Sequence, residues 1–302
     1  MQRRRLGRTN LDVSEIGLGA LEIGRDWGIR DDDFGRPGQQ EAISLVHAAL
    51  DLGINFIDTA PAYQLSEERI GKALQGRRDE VYLATKVGEH YDNERGFWYD
   101  YGAAAVRTSV EHSLRRLQTD VIDVLQIHSA SVELIQEGET YEAMKRLQDA
   151  GHVRFLGMSG DLEAARAAIE HGGFDTVQIV YNIVNQEAAA SLLPLARSRD
   201  VGVIVMAPLG HGALTSKHEH LDPEQREYRL AKQLDFLVRS DQTLSQAALR
   251  FVLHHDAVST IIAGTRKPAN LRSNVKAAIG SLSPEELDRI SQLAAQDTPP
   301  AR

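Results

Sequence analysis

The chain has 302 residues, 42% of them hydrophobic and 25% charged, with a formal net charge of -9. That balance is ordinary for a globular protein and argues against non-specific binding to nucleic acid, while the absence of cysteine excludes disulfides, thiolate catalysis and cysteine-ligated zinc. No run is apolar enough over roughly 18 residues to cross a membrane, and the N-terminus lacks the apolar core of a secretion signal, so a cytoplasmic location is the expectation.

Residues 2 to 14 read as a hairpin turning near Thr9-Asn10, placed to cover one end of the molecule. Strand and helix then alternate about eight times. Ile16 to Leu18 is a short first strand, followed by a helix over Gln40 to Leu52 with Ile43, Val46, His47 and Leu50 at helical spacing. Ile54 to Asp58 and Val81 to Lys86 are the next strands, each leading to a helix, Glu67 to Leu74 and Ala103 to Leu117. Ile122 to Ile127, Val153 to Met158 and Thr176 to Val180 are strands, followed by helices over Thr140 to Ala150, Leu162 to Glu170 and Glu187 to Ser198. Val201 to Met206 is the seventh strand, and a long insertion separates it from its helix, Leu244 to Leu253. Ser259 to Ile262 and the helix Pro268 to Ile279 complete the alternation. Ser283-Pro284-Glu285-Glu286 supplies an N-cap, a proline at the first helical position and a glutamate two further on, which starts an extra helix to about Ala295. Short connections favour a closed barrel of about 250 residues, although the alternation by itself leaves an open doubly wound sheet possible.

In a barrel, every strand opens its carboxyl end on one face. Asp58, Tyr63, Lys86 and His128 lie at or just past three such ends, so they converge in space. A carboxylate, a phenol, an amine and an imidazole around one point suit proton transfer to or from a carbonyl oxygen. Singly, each has a duller reading, as a turn cap, a packed ring, a solvated charge or a structural histidine. The loops over residues 20 to 39, 87 to 102 and 207 to 240 open on the same face. Trp27 and Phe34 in the first, and Phe97, Trp98, Tyr99 and Tyr101 in the second, suit an apolar substrate pocket. His218-Glu219-His220 and His254-His255 match no zinc spacing, so no metal is expected, and Arg30-Asp31-Asp32-Asp33 reads as a solvated loop.

Leu6-Gly7-Arg8-Thr9, Val13 to Gly19, Phe56-Ile57-Asp58-Thr59-Ala60 with Tyr63, Ser66-Glu67, Ala84-Thr85-Lys86, Ser113 to Leu117, Gln126-Ile127-His128, Pro208-Leu209 and Gly264-Thr265-Arg266 follow one another along the chain. In that order they resemble an aldo-keto reductase over nearly the whole length. The resemblance implies one domain over residues 1–302, an (α/β)8 TIM barrel with an N-terminal hairpin and an extra C-terminal helix. It also implies NADPH as cofactor and a small carbonyl substrate. Asp58, Tyr63, Lys86 and His128 fall on the family's catalytic tetrad. Tyr63 would be the general acid, its pKa of about 10 lowered by the Lys86 ammonium, with Asp58 holding Lys86 and His128 orienting the carbonyl.

For the cofactor, the resemblance points to Gly19, Ala20, Ser159, Gln178, Met206, Pro208, Leu209, Gly210, Gly212, Leu214, Gly264 and Thr265. Ser159 and Gln178 would hold the nicotinamide amide, and Met206 stands where the family stacks an aromatic ring. Gly160 stands where family members often carry asparagine. The stretch Leu209 to Leu214 would offer backbone N–H groups to the pyrophosphate. Glu22 occupies the third glycine position of a Rossmann fingerprint, which sets that reading aside. Arg266, just before a helix start at Pro268, forms an anion site suited to the 2′-phosphate of NADPH, with Lys267 beside it. Asn270 and Asn274, one turn apart, would reach the adenine. The function expected is NADPH-dependent reduction of an aldehyde or ketone. The alternatives are a sugar or alcohol dehydrogenase running the reverse reaction, and an NADPH-binding subunit that senses redox state without turnover. Nothing in the sequence fixes the oligomeric state.

Overall fold

Among the described residues, eight parallel strands close into a barrel, with helices in the connections between them. The structure is a computed structural model and describes residues 1–26, 35–216, 222, 224 and 226–296. Trp27, Phe34, the Arg30 to Asp33 run and His218 to His220 lie outside the described residues. In chain order the strands are β1 (Arg3–Arg5), β2 (Asp12–Ser14), β3 (Ile16–Gly19), β4 (Phe56–Asp58), β5 (Tyr82–Val87) and β6 (Glu89–Asp92). They continue with β7 (Gly96–Tyr99), β8 (Ile122–Ala130), β9 (Val153–Gly160), β10 (Thr176–Val180), β11 (Gly202–Met206) and β12 (Val258–Gly264). The barrel runs β3-β4-β5-β8-β9-β10-β11-β12 and closes where Ile16 pairs with Ile261 and Gly19 with Gly264. This is the (α/β)8 barrel, with β1 and β2 as the expected hairpin and Pro284–Gln296 as the extra helix.

Alternate residues of a barrel strand face inward. One inward layer is apolar: Phe56, Ala84, Val124 and Ile204 pack with Leu6, Leu11 and Val13 of the N-terminal segment. The hairpin therefore plugs the amino end of the barrel. Two residues further along, the same strands present Asp58, Lys86, Gln126 and Met206. The tetrad thus sits on top of a sealed apolar floor.

Three departures from the sequence reading have local causes. The helix over Glu187 to Ser198 is broken into Glu187–Ala190 and Leu192–Ser198. Pro194 lacks an N–H and its ring would strike the carbonyl four residues back, so a continuous helix is blocked there. Residues 87 to 102 are not an open loop, because β6 and β7 pair as an antiparallel hairpin. Asp92 Oδ1 accepts from the amides of Glu94 (2.8 Å) and Arg95 (2.6 Å), and Gly96 takes φ 76°, which together make the turn. β8 runs past Ile127 to Ala130 with an irregularity in between, where Ser129 takes φ 52°.

Candidate active site

Lys86 and Asp58 are each 1% exposed and lie at the centre of the upper layer. Lys86 Nζ donates to Asp58 Oδ2 at 2.6 Å, to the Thr59 carbonyl at 2.9 Å and to the Tyr63 hydroxyl at 3.2 Å. All three ammonium protons are used, which is what a buried cation needs. The other carboxylate oxygen of Asp58 accepts from Gln126 Nε2 (2.9 Å) and Gln178 Nε2 (2.8 Å). The buried pair is thus ringed by amide donors. Gln126 had no role assigned from sequence, although its place two residues before His128 on an inward parity marks it.

Tyr63 ends a short 3₁₀ turn, Pro61–Tyr63, started by proline. Its ring meets His128 edge-on, with centroids 5.7 Å apart and planes at 80°. The four tetrad residues are therefore brought together. Burial pushes the Tyr63 phenol up; Lys86 pulls against it, but the net direction is above the ordinary value. The expected lowering of this pKa is corrected here, because desolvation outweighs the ammonium. Burial pushes the Lys86 amine down, but Asp58 and Tyr63 together outweigh it and hold it above its usual value. His128 is pushed down to about 2 by burial, with Lys86 and Arg25 adding to it, so the ring is neutral.

Glu89 was missed from the sequence, because residues 87 to 102 read as loop. The polar run Asp92 to Arg95 closed by Gly96, just ahead of the aromatics Phe97 to Tyr99, was the signal for a hairpin turn there. β6 packs on the Pro61–Tyr63 turn and carries Glu89 to His128, with Oε2 3.1 Å from Nδ1. The approach is off-line, so Nδ1 is buried without a well-aligned hydrogen bond. In the same hairpin, Trp98 stacks on His90 at 5.3 Å, and the exposed Phe97 ring lies 4.4 Å beneath the Arg25 guanidinium.

Ser159 Oγ donates to Gln178 Oε1 at 2.8 Å and lies 3.8 Å from Met206 Sδ. Gln178 thus bridges the serine and Asp58. A Cβ at Gly160 would lie 2.5 Å from the Ala130 carbonyl, so the extended β8 leaves no room for asparagine there. Gly19 and Gly264 stand side by side at the barrel mouth, with Ala20 buried beyond them. Arg266 donates to the Gly35 carbonyl, and the amide of Lys267 donates to Thr265 Oγ1 at 3.1 Å, just before the helix Pro268–Ala277. Asn270 is exposed, whereas Asn274 is buried. Pro208 is buried at the start of the next loop.

The stretch Leu209 to Leu214 departs from the expected anion cradle. The amides of Gly210, Gly212, Ala213 and Leu214 bond back to Ala207, Leu209, Gly210 and Leu209 at 3.0 to 3.1 Å. Consecutive tight turns engage them, so a phosphate there would compete with existing bonds. The rest of the set fits a nicotinamide dinucleotide. A half-buried thioether offers an apolar face, a buried serine and glutamine offer amide partners, paired glycines leave the mouth open, and a guanidinium stands at a helix start.

Comparison with known proteins points to one family. Residues 15–295 match the model of the Aldo/keto reductase family. The chain is 34% identical to the aldo-keto reductase YhdN of Bacillus subtilis, over 90% of this chain and 87% of that protein. It is 31% identical to the L-galactose dehydrogenase of Arabidopsis thaliana, over 92% of this chain and 88% of that one. The holo form of aldo-keto reductase AKR11C1 from Bacillus halodurans superposes with a TM-score of 0.84 at 31% identity, covering 97% of this chain and 96% of that one.

Proposed function

The chain belongs to the aldo/keto reductase family and is an NAD(P)H-dependent oxidoreductase; from that premise, we propose that it reduces an aldehyde or ketone to the alcohol with NADPH, Tyr63 being the general acid. We read residues 1–302 as one domain that carries this site. The observation that carries the proposal is the buried chain of contacts Asp58–Lys86–Tyr63, at 2.6 and 3.2 Å. The cofactor, when bound, supplies the hydride. Tyr63 gives its hydroxyl proton to the carbonyl oxygen. Because the free phenol is protonated at neutral pH, the acid is loaded when substrate arrives. Lys86 stabilises the phenolate left behind, and Asp58 with its two glutamine donors keeps the ammonium in place. His128, neutral and edge-on to Tyr63, orients the carbonyl. The sealed floor beneath excludes bulk water, which strengthens each of these interactions.

Ser159 and Gln178 would hold the nicotinamide amide, Met206 would pack on its ring, and Arg266 would select NADPH through its 2′-phosphate. The same groups run in reverse would oxidise an alcohol. The dehydrogenase name of the Arabidopsis thaliana relative favours keeping sugars in the screen. The test is Tyr63→Phe, assayed by NADPH oxidation against a panel of aldehydes, ketones and sugars. General acid catalysis typically contributes about 10²–10⁴-fold, so kcat should fall by that factor while NADPH still quenches protein fluorescence at the same Kd. Retained turnover would remove Tyr63 from the acid role.

A further inference from the structure

We propose that Glu89 is a positioning residue that sets which ring nitrogen of His128 carries the proton, and so whether the site offers the substrate a donor or an acceptor. The inference rests on reading His128 as the group that faces the substrate oxygen. Glu89 Oε2 lies 3.1 Å from His128 Nδ1, and the two side chains are only 13% and 12% exposed. Nδ1 is the ring nitrogen beside the carboxyl, though off its line, so a small turn of the carboxyl completes the bond to this otherwise unpartnered atom and leaves Nε2 for the substrate. A neutral imidazole has one proton, so the partner of Nδ1 decides the state of Nε2.

Two states follow, differing by one proton. With Glu89 ionised, Nδ1–H donates to the carboxylate and Nε2 is a bare acceptor, suited to an alcohol. With Glu89 protonated, its O–H donates to Nδ1 and Nε2–H is a donor, suited to a carbonyl. A proton arriving at Nε2 pushes the Nδ1 proton onto Glu89, and the return transfer reverses both moves, so the imidazole is neutral in each state. The exposed Ser129, whose hydroxyl lies 3.5 Å from Glu89 Oε2, gives the carboxyl a route to water.

The groups around Glu89 act on its ionisation in both directions. Burial raises it above the usual carboxylate range, opposed by Arg25, the Ser129 hydroxyl, Lys86 and the neighbouring His90. Its negative charge is felt by Tyr63 and Tyr101 on the other side. His128 itself is held neutral first by burial and then by Lys86 and Arg25, so the ring does not keep a second proton.

The experiment uses the full chain labelled with 15N-histidine, saturated with NADP, with the His128 signals assigned by their loss in His128→Gln. Wild-type protein should show Nδ1 and Nε2 exchanging protonated and bare shifts as pH crosses the Glu89 ionisation. In Glu89→Gln the tautomer should stay fixed over the same range, and the matching inflection in kcat for reduction should vanish. Glu89→Asp, which retracts the carboxyl but still titrates, should keep an inflection and lower kcat about tenfold at unchanged NADPH affinity. A His128 tautomer that titrates identically in wild type and Glu89→Gln, or is constant in both, would overturn the proposal. The shifts are read without turnover, so this outcome is separate from any failure of Tyr63 as acid.

Discussion

Lys86→Met tests the electrostatic centre most directly. The substitution keeps the length of the buried stem and deletes three donors at once. Removing one partner of a buried ion pair costs about 3–5 kcal/mol, because the remaining charge is stranded. Asp58 is not fully stranded, since its Oδ1 keeps the Gln126 and Gln178 amides at 2.9 and 2.8 Å, and bonds to a charged group are worth about 1.5–3 kcal/mol each. Against that, the Thr59 carbonyl loses its 2.9 Å donor, at about 1–3 kcal/mol for an unsatisfied buried group. The net expectation is a loss of about 4 kcal/mol. At roughly 2–4 °C per kcal/mol for a large domain, calorimetry should show Tm lower by on the order of 10 °C. The pair Asp58→Asn with Lys86→Met removes both charges and leaves an oxygen for the two glutamines. It should return to within about 2 kcal/mol of wild type. A double variant less stable than Lys86→Met alone would refute the argument that a stranded charge, rather than lost packing, sets the cost.

Arg266→Ala should weaken NADPH by about 10- to 100-fold, the equivalent of one charge-assisted bond, while NADH binding changes little; equal losses in fluorescence titrations would take the 2′-phosphate away from this residue. Gly88→Ala should cost about 2–4 kcal/mol in urea unfolding, since Gly88 sits at φ 102° and a Cβ there would overlap the Tyr101 ring. The same change should lower kcat, because Tyr101 donates at 2.9 Å to the His128 carbonyl; an unaffected kcat would mean that His128 is held otherwise. His128 titrates at about 2 in the folded chain and near 6.5 when unfolded, so the unfolded state binds the extra proton between those values. Its contribution to stability is complete above about pH 6.5 and falls by about 1.4 kcal/mol per unit as pH drops below that. His128→Gln should lack this slope between pH 6 and 4.5 in denaturation at matched ionic strength, and an equal slope in both proteins would show that the ring is not buried neutral.

The barrel was legible because its strands are short apolar runs separated by helices of helical period, and both patterns survive without tertiary context. The tetrad was legible because polar residues that interrupt such runs at their carboxyl ends have one face to occupy. Thr176 to Val180 was bounded correctly, since a glycine-led turn and a new loop frame it. Strand ends were harder. β8 gains His128, Ser129 and Ala130, with Ala130 pairing against Gly160 of β9, where a Cβ would collide, a pairing that no local pattern carries. The partners of Asp58 depend on inward parity across β8 and β10, so Gln126 looks like an ordinary strand polar in sequence, and Gln178, expected at the nicotinamide, gives no sign there that it also holds Asp58. Glu89 was hidden by treating a polar, aromatic stretch as loop, although Asp92 and Gly96 marked a turn. The Leu209 to Leu214 amides were misjudged because a glycine-rich stretch offers donors only if it does not fold on itself.

The floor of the barrel is closed by Leu6, Leu11 and Val13, while its last stave is β12, about 250 residues further along the chain. Arg4 reaches from the hairpin to the carbonyls of Leu253 (2.7 Å) and Val258 (2.9 Å), and β3 finds its second neighbour only in β12. A nascent chain that has emerged only as far as β11 therefore carries two open sheet edges and a wet charged centre. Such edges template pairing with other chains. Ring closure is thus a late event in the life of each molecule, and the interval before it is when this protein most needs shelter from its neighbours.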